Sequence, residues 1–196
     1  MKHAALAAAL ALAAPAVAAA QTAPQVTPTR DVAVTYRVSG AGPVQSMRWS
    51  WLVSEQLMRL DMPGGPGWML INTREDTAFV VMEQQRMVMR VPREQAAMLG
   101  PNALRENTRF TRLGSATVAG LACTTWRVES PQGEGEACIT EDGVLLRGRG
   151  RGGQGDLEAT EVRYGRPDPA MFRLPEGLRV VELPGGPPPG SPAQRR

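Results

Sequence analysis

The sequence predicts a mainly β protein: a single antiparallel curved sheet, or open half-barrel, of about eleven strands with one or two short helices against it. Three observations support this fold class. Apolar and polar residues alternate with a period of two through most of the chain. Gly- and Pro-containing turns separate many of these segments. Only residues 92–100 have a convincing helical pattern, with Pro92 at the start and Gly100 just past the end.

The two ends of the chain differ from this pattern. Residues 1–20 have a short basic start, an Ala/Leu run and small residues before Gln21, which predicts a secretory signal peptide cleaved near Ala20 and a periplasmic protein. A membrane anchor is the weaker interpretation, because the run is short and Pro15 interrupts it. We expect a flexible leader at residues 21–29, one domain at 30–183 and a disordered Pro/Gly-rich tail at 184–196.

The composition excludes most kinds of active site. The only lysine is Lys2 and the only histidine is His3, so cleavage leaves 21 arginines against 19 acidic residues. Ser-His and Cys-His pairs, catalytic lysines and His-type zinc sites are therefore excluded. We predict a protein that is not an enzyme and has no cofactor or metal. A carboxylate-based hydrolase is the remaining catalytic alternative, but neighbouring acids such as Glu141 and Asp142 lie in turns, where their side chains point apart.

The first half of the domain is predicted to be a meander of six strands. Four segments alternate, with one apolar and one polar face: 31–38, 47–53, 56–62 and 86–91. Residues 68–73 and 77–83 are instead apolar on both faces, and such strands need cover on both sides. Residues 92–100, with a further helical turn at 102–106, are the candidates for that cover.

The second half is predicted to return to β structure. Its strands are 109–113, 121–129, 136–140, 144–147 and 157–164. Gly143 ends a tight turn at a position that needs positive φ, and Asp168 with Pro169 begins a capped helical turn that reaches Phe172. The Arg/Gly-rich residues 147–153 are similar to nucleic-acid-binding segments. Export favours a flexible loop there, and no nucleic acid is expected as a partner.

Cys123 and Cys138 are the only cysteines, and an oxidising compartment favours a disulfide between them over a metal or redox pair. A hairpin that turns at residues 130–131 places them directly opposite each other. Opposed residues of a non-hydrogen-bonded pair have Cα atoms about 4.5 Å apart, which a disulfide can span. Closing this loop stabilises the fold by roughly 3 kcal/mol on the chain-entropy model.

A face rich in methionine and tryptophan is the best candidate for a ligand surface, because methionine adapts to apolar guests of variable shape. The predicted ligand-binding residues are Trp49, Trp51, Met58, Leu60, Met62, Met87 and Met89; Met47 shares their stripe. This face is either a cavity or an ordinary packed core. An outward band of arginines is either a solvated face or a surface for anionic partners: Arg37, Arg48, Arg59, Arg86 and Arg90.

The order of motifs resembles the exported bacterial LolA/LolB-like half-barrel superfamily, and within it an uncharacterised domain group. The residues that carry this likeness are Gly114, Val118, Gly120, Cys123, Trp126, Cys138, Asp142, Gly143, Phe172, Pro175 and Gly177. The resemblance covers most of residues 30–181 and implies a half-barrel with an apolar cavity able to hold acyl chains. The disulfide hairpin and the missing lipobox set this chain apart from the well-studied carriers, so the fold carries over better than the function.

These observations predict a non-catalytic periplasmic binding module that holds a lipid or acyl group, or an apolar segment, in a half-barrel cavity. The alternative is a structural or protein-interaction component of the cell envelope with a filled core. The expected partners are a lipid or acylated protein, or an envelope protein, with peripheral membrane contact at most.

Overall fold

The computed structural model describes residues 22–40, 46–101, 107–131, 133–151 and 155–183. The predicted signal peptide, the helical turn at 102–106 and the tail lie outside these residues. The described strands form one sheet of 12 strands in the order β12-β6-β5-β4-β3-β2-β1-β11-β10-β9-β8-β7. The sheet is curved and open, with one short helix and one 3₁₀ turn, so the predicted fold class is confirmed.

The first six strands form the predicted antiparallel meander. They are β1 (Val32–Ser39), β2 (Ser46–Leu52), β3 (Leu57–Asp61), β4 (Trp68–Asn72), β5 (Thr77–Met82) and β6 (Met87–Val91). Three of the connecting turns end on a non-glycine residue with positive φ, namely Gln56, Asp76 and Arg86. Residues with a side chain adopt this conformation at some cost, and glycine is therefore expected there. These three turns contain no glycine, so only the alternation on either side locates them in the sequence.

The next five strands are β7 (Arg109–Val118), β8 (Leu121–Ser130), β9 (Gly133–Ile139), β10 (Leu145–Gly150) and β11 (Asp156–Tyr164). Strand β11 pairs with β1 and so joins the two halves of the sheet. Strand β7 is longer than predicted, because it continues through a bulge between Arg112 and Gly114. The predicted Arg/Gly loop is wrong over its first residues, since Arg147–Gly150 belong to β10 and pair with β9.

The last strand departs from the antiparallel arrangement. Strand β12 (Arg179–Glu182) runs parallel to β6, with Val180 opposite Val88. A parallel neighbour needs a long crossover, and the chain between β11 and β12 supplies it by crossing one face of the meander. This crossing contains the predicted helical turn at Pro169–Phe172, where the Asp168 carboxylate accepts a hydrogen bond from the Ala170 amide.

The helix is shorter than predicted. Helix α1 spans Arg93–Ala96 rather than residues 92–100, and no side chain caps its start. The following backbone bonds run from Met98 N–H to the Gln95 carbonyl and from Leu99 N–H to the Ala96 carbonyl. These i to i+3 bonds are the tighter 3₁₀ type that commonly ends a short helix.

The meander has an apolar core on each face, which confirms that β4 and β5 need cover on both sides. One face, here called the cavity face, carries Trp51, Met58 and Ile71, and Ala96 of α1 packs into the same cluster. The opposite face, here called the strap face, carries a second cluster, which consists of Leu52, Trp68, Leu70, Val81, Val88 and Phe172. The C-terminal crossing, and not the helix, therefore covers the strap face.

Candidate functional site

The candidate site is a cavity of about 230 Å³ on the cavity face. Its lining consists of Val26, Tyr36, Met47, Trp49, Met58, Leu60, Gly100, Pro101, Gly143, Leu145 and Leu157. An apolar cavity of about 150 Å³ is large enough for benzene, whereas pockets for drug-sized ligands measure about 300–1,000 Å³. This cavity therefore has room for a small apolar group and not for a whole lipid.

The register of the first three strands assembles one wall. Tyr36 lies opposite Met47, and Trp49 lies opposite Leu60. Directly opposed residues share a face of the sheet, so all four side chains point the same way. Trp49 stacks on Trp51 with ring centroids 6.3 Å apart and planes 8° apart. The stacking fixes the orientation of the Trp49 ring at the cavity.

The structure brings together three of the seven predicted ligand-binding residues. Trp49, Met58 and Leu60 line the cavity. Trp51 is only 1% exposed and belongs to the packed core behind Trp49.

The other three predicted residues lie away from the lining. Met62 follows the end of β3, and Met87 and Met89 lie opposite Met82 and Val80 at the far end of the meander. All three are half-buried. The period-two pattern identifies which residues share a face, but it does not say where along that face the packing leaves a gap.

Tyr36 contributes the one hydroxyl among the described lining residues. Its hydroxyl donates a hydrogen bond of 2.5 Å to the Leu145 carbonyl. Burial raises the pKa of Tyr36 well above its ordinary value, so the phenol stays neutral. Among the described lining residues no side chain is charged, which suits a guest whose inserted part is wholly apolar.

The N-terminal strap, defined here as residues 25–31, contributes one residue to the cavity lining. Val26 is 8% exposed and packs with Trp126 and Ile139 as well as lining the cavity. The indole Nε1 of Trp51 donates to the Pro28 carbonyl at 3.1 Å. Most of this segment was predicted to be part of a flexible leader, and its Pro-rich sequence gives no signal that it contacts the sheet.

Asp142 anchors the N-terminal strap to the turn between β9 and β10. Its carboxylate accepts hydrogen bonds of 2.8 and 3.0 Å from Arg30 and further bonds from the hydroxyls of Thr140 and Tyr164. Burial by itself raises the pKa of Asp142, but the hydrogen bonds from Thr140, Arg30 and Tyr164 outweigh it and hold that pKa below its ordinary value. Asp142 is therefore an ionised structural acceptor.

Gly143 allows the N-terminal strap to lie close to this turn. Its φ of +92° confirms the predicted left-handed turn position. A Cβ atom at Gly143 would lie 2.5 Å from the backbone oxygen of Thr27. Any side chain here would push the strap away, so glycine is required by both the turn and the contact.

The predicted disulfide between Cys123 and Cys138 is confirmed, with Cα atoms 5.4 Å apart. The predicted register was wrong, because Cys138 lies opposite Thr125. The hairpin turns one residue later than expected, with Ser130 opposite Gly133, which shifts each cross-strand pair by two positions. The bridge therefore joins diagonal neighbours, and both cysteines are buried.

The predicted arginine band does not form one continuous surface. Arg37 and Arg48 are exposed, whereas the side chain of Arg59 is only 16% exposed and pairs with Asp61 at 2.6 Å. Arg59 also donates to the Met171 carbonyl at 2.6 Å and stacks 3.7 Å from the Trp68 ring centroid.

Arg86 and Arg90 also contact the C-terminal segment. Arg86 donates to the Gly177 carbonyl at 3.4 Å, and Arg90 lies 3.6 Å from Glu182. Three of the five arginines therefore hold residues 168–182, here called the C-terminal strap.

Two features are absent from the part of the chain that the structure describes. No group of three or more His, Cys, Asp or Glu side chains is placed to hold a metal ion there. No helix among the same residues has the length and apolar character needed to cross a membrane.

A family model described as a domain of unknown function, DUF4412, matches residues 38–146. This match runs from the end of β1 to the start of β10 and includes the disulfide. The strap residue Val26 and the lining residues Tyr36 and Leu157 lie outside it. No curated protein sequence matches the chain.

Two solved structures are similar in fold. A chain in the complex structure of Pseudomonas aeruginosa MucA/MucB aligns with a TM-score of 0.52 and 15% identity, over 82% of this chain and 62% of that one. A structure of PNGF-II aligns with a TM-score of 0.52 and 14% identity, over 79% of this chain and 31% of that one. This chain thus spans less than two thirds of either neighbour. These identities establish likeness of fold alone, which is consistent with the predicted half-barrel superfamily.

Proposed function

We propose that this chain, which belongs to the DUF4412 family, is a non-catalytic periplasmic binding module that holds a small apolar group in its cavity. The observation that carries this proposal is the cavity itself, about 230 Å³ with an apolar lining. The one hydroxyl in that lining, on Tyr36, is already bonded to the Leu145 carbonyl. A site of this kind binds through apolar contact and shape.

The volume narrows the class of guest. A cavity between the size for benzene and the size for a drug-like molecule accommodates the end of an acyl chain or one apolar side chain of a partner. The polar part of such a guest would remain outside, because the described lining offers it no charged group. Met47 and Met58 are unbranched, which supports adaptation to guests of different shape.

The disulfide supports the proposed compartment. Disulfides persist in oxidising environments and are rare in the cytosol, and the Cys123–Cys138 bond is formed here. The N-terminal sequence supports export through a cleaved signal peptide that ends near Ala20.

The proposed function is tested by binding of alkyl probes to protein purified from the periplasm. Isothermal titration calorimetry with medium-chain alcohols, together with native mass spectrometry, should show saturable binding of one guest. Met47→Trp should abolish binding by filling the cavity. Leu113→Trp is the matched control, since Leu113 is 43% exposed on β7. Equal affinity in both variants, or no binding by the wild type, would refute the proposal.

A protein-interaction or structural role with a filled core is the second candidate. It is supported by Trp51, a predicted ligand-binding residue that is only 1% exposed and part of the packed core. The MucA/MucB structure, which contains a neighbour of similar fold, is a protein–protein complex. In vivo crosslinking distinguishes the two roles: an interaction role predicts that Met47→Trp keeps the partners of the wild type, whereas guest-dependent function predicts their loss.

A further inference from the structure

Val26 differs from most of the apolar lining residues because it lies outside the strands of the sheet. The other apolar side chains in contact with the cavity belong to strands, apart from Pro101, which follows α1. Val26 belongs to the N-terminal strap, which has no regular secondary structure. One wall of the cavity is thus supplied by a segment that crosses the end of the sheet.

The anchors of this strap all follow Val26 in the chain. The Pro28 carbonyl accepts from Trp51, the Thr29 amide donates to the Asp142 carbonyl at 3.0 Å, and the Asp31 carboxylate accepts from the Val53 amide at 2.8 Å. These bonds fix the backbone immediately beyond Val26. They place its side chain against Trp126 and Ile139.

The chemistry of the walls differs as well. Met47 and Met58 have several rotatable bonds and adapt their shape, whereas a β-branched valine has a restricted χ1 angle. A guest can therefore displace the methionine side chains more easily than Val26. Val26 is therefore one of the stiffer parts of the lining, and its backbone is the part held by the strap.

We infer that Val26 sets the maximum length of the guest, with the N-terminal strap as the end wall of the cavity. This inference rests on the proposed function, because it assumes that the cavity takes an apolar guest. It assigns control of the guest's maximum length to a residue outside the part of the chain that the family model matches.

The test is a series of straight-chain primary alcohols of increasing length, titrated into the full chain by calorimetry. Each methylene that is buried should raise the affinity about fourfold, until the chain end reaches Val26 and the affinity stops rising. Val26→Ala should move this limit to alcohols longer by about one or two methylenes, the size of the methyl groups removed.

The matched control is Val118→Ala. Val118 is a valine of equal burial, 6% against 8% exposed, and it lies outside the cavity lining. It should lower stability as Val26→Ala does while leaving the length limit where the wild type has it. An unchanged limit in Val26→Ala, or an equal shift in Val118→Ala, would overturn the inference.

A second variant keeps the test decisive if Val26→Ala does not fold. Arg30→Ala removes an anchor of the strap at a side chain that is 60% exposed, so the fold should survive. The length limit should then become less sharp and move to longer alcohols. A limit identical to that of the wild type would contradict the inference that the N-terminal strap forms the end wall of the cavity. If wild-type protein binds no alcohol, the proposed function fails first, and that result is distinct from binding with an unaltered limit.

Discussion

The meander half of the sheet, β1 to β6, and the hairpin half, β7 to β10, are built differently. In the meander the strands carry apolar side chains on both faces, and two apolar clusters cover them. At the outer end of the hairpin half, Arg127, Glu136 and Arg149 lie opposite one another on neighbouring strands and are exposed. The only two cysteines of the chain are also in this half, joined to each other.

This difference shows two ways of stabilising one continuous sheet. Burial of apolar surface contributes about 25 cal/mol per Å², and the meander uses it on both faces, with α1 packed against one and the C-terminal strap across the other. The hairpin half leaves part of one face charged and exposed, so it has less apolar surface to bury. A covalent link that limits the unfolded chain adds stability there without requiring further cover. Four changes test this comparison.

The largest effect is expected from Phe172→Ala, which removes the aromatic ring that the C-terminal strap places on the strap face. Phe172 is 4% exposed within that cluster, and a buried Phe→Ala change costs about 3–5 kcal/mol. Urea unfolding measures the loss, and hydrogen exchange should place it in β4, β5 and β6. Leu113→Ala, at an exposed leucine, is the control and should change stability by less than about 0.5 kcal/mol. Loss of protection mainly in β8 and β9 would contradict the comparison.

The next effect is expected from replacing both cysteines with alanine. The bond closes a loop of 15 residues, so its loss should lower the free energy of unfolding by roughly 3 kcal/mol. We expect faster hydrogen exchange in β8 and β9 than in the meander. Reduction of the wild type with dithiothreitol is the parallel measurement. Uniformly faster exchange across both halves would show that the sheet is stabilised as one unit.

A smaller effect is expected from Arg59→Ala, which removes the cation that joins the meander to the C-terminal strap. The hydrogen bonds from Arg59 to Asp61 and Met171 would be lost, at a cost of about 2 kcal/mol for charge-assisted bonds at a mostly buried site. Thermal unfolding measures this cost. Arg48→Ala, at an exposed arginine on the neighbouring strand, is the matched control. A similar loss of stability in both variants would show that Arg59 does not anchor the C-terminal strap.

The smallest effect concerns the pH dependence of the N-terminal strap. The pKa of Asp142 is lower in the folded protein than its ordinary value of 3.8, so its contribution to stability is present above that value and is lost as the pH falls through the folded pKa. Asp142→Asn should lower the Tm by about 1–2 °C at pH 7, and the difference from the wild type should shrink below pH 4. Glu176→Gln, at an exposed acid, should show no such convergence. A difference that stays constant down to pH 2.5 would contradict the role of the ionised carboxylate.

The sequence by itself determined the fold class, most of the strands and the disulfide. Alternation with a period of two is a local property of the chain, and with only two cysteines in the sequence each has one possible partner. The need for cover on both faces of β4 and β5 could also be predicted, because their apolar residues do not alternate.

Only the tertiary structure decided which residues line the cavity and that Val26 of the N-terminal strap is one of them. Trp49 and Trp51 are equivalent in the sequence pattern, yet the first lines the cavity and the second is core. The segments 25–31 and 168–178 carry no periodic signal, since they are held by isolated apolar contacts, such as Phe172 on the strap face, and by single hydrogen bonds to residues far away in the chain, such as Arg30 with Asp142 and Arg59 with Met171. A local pattern specifies which face a side chain takes, but a gap in the packing depends on long-range contacts that are made only once the chain has folded.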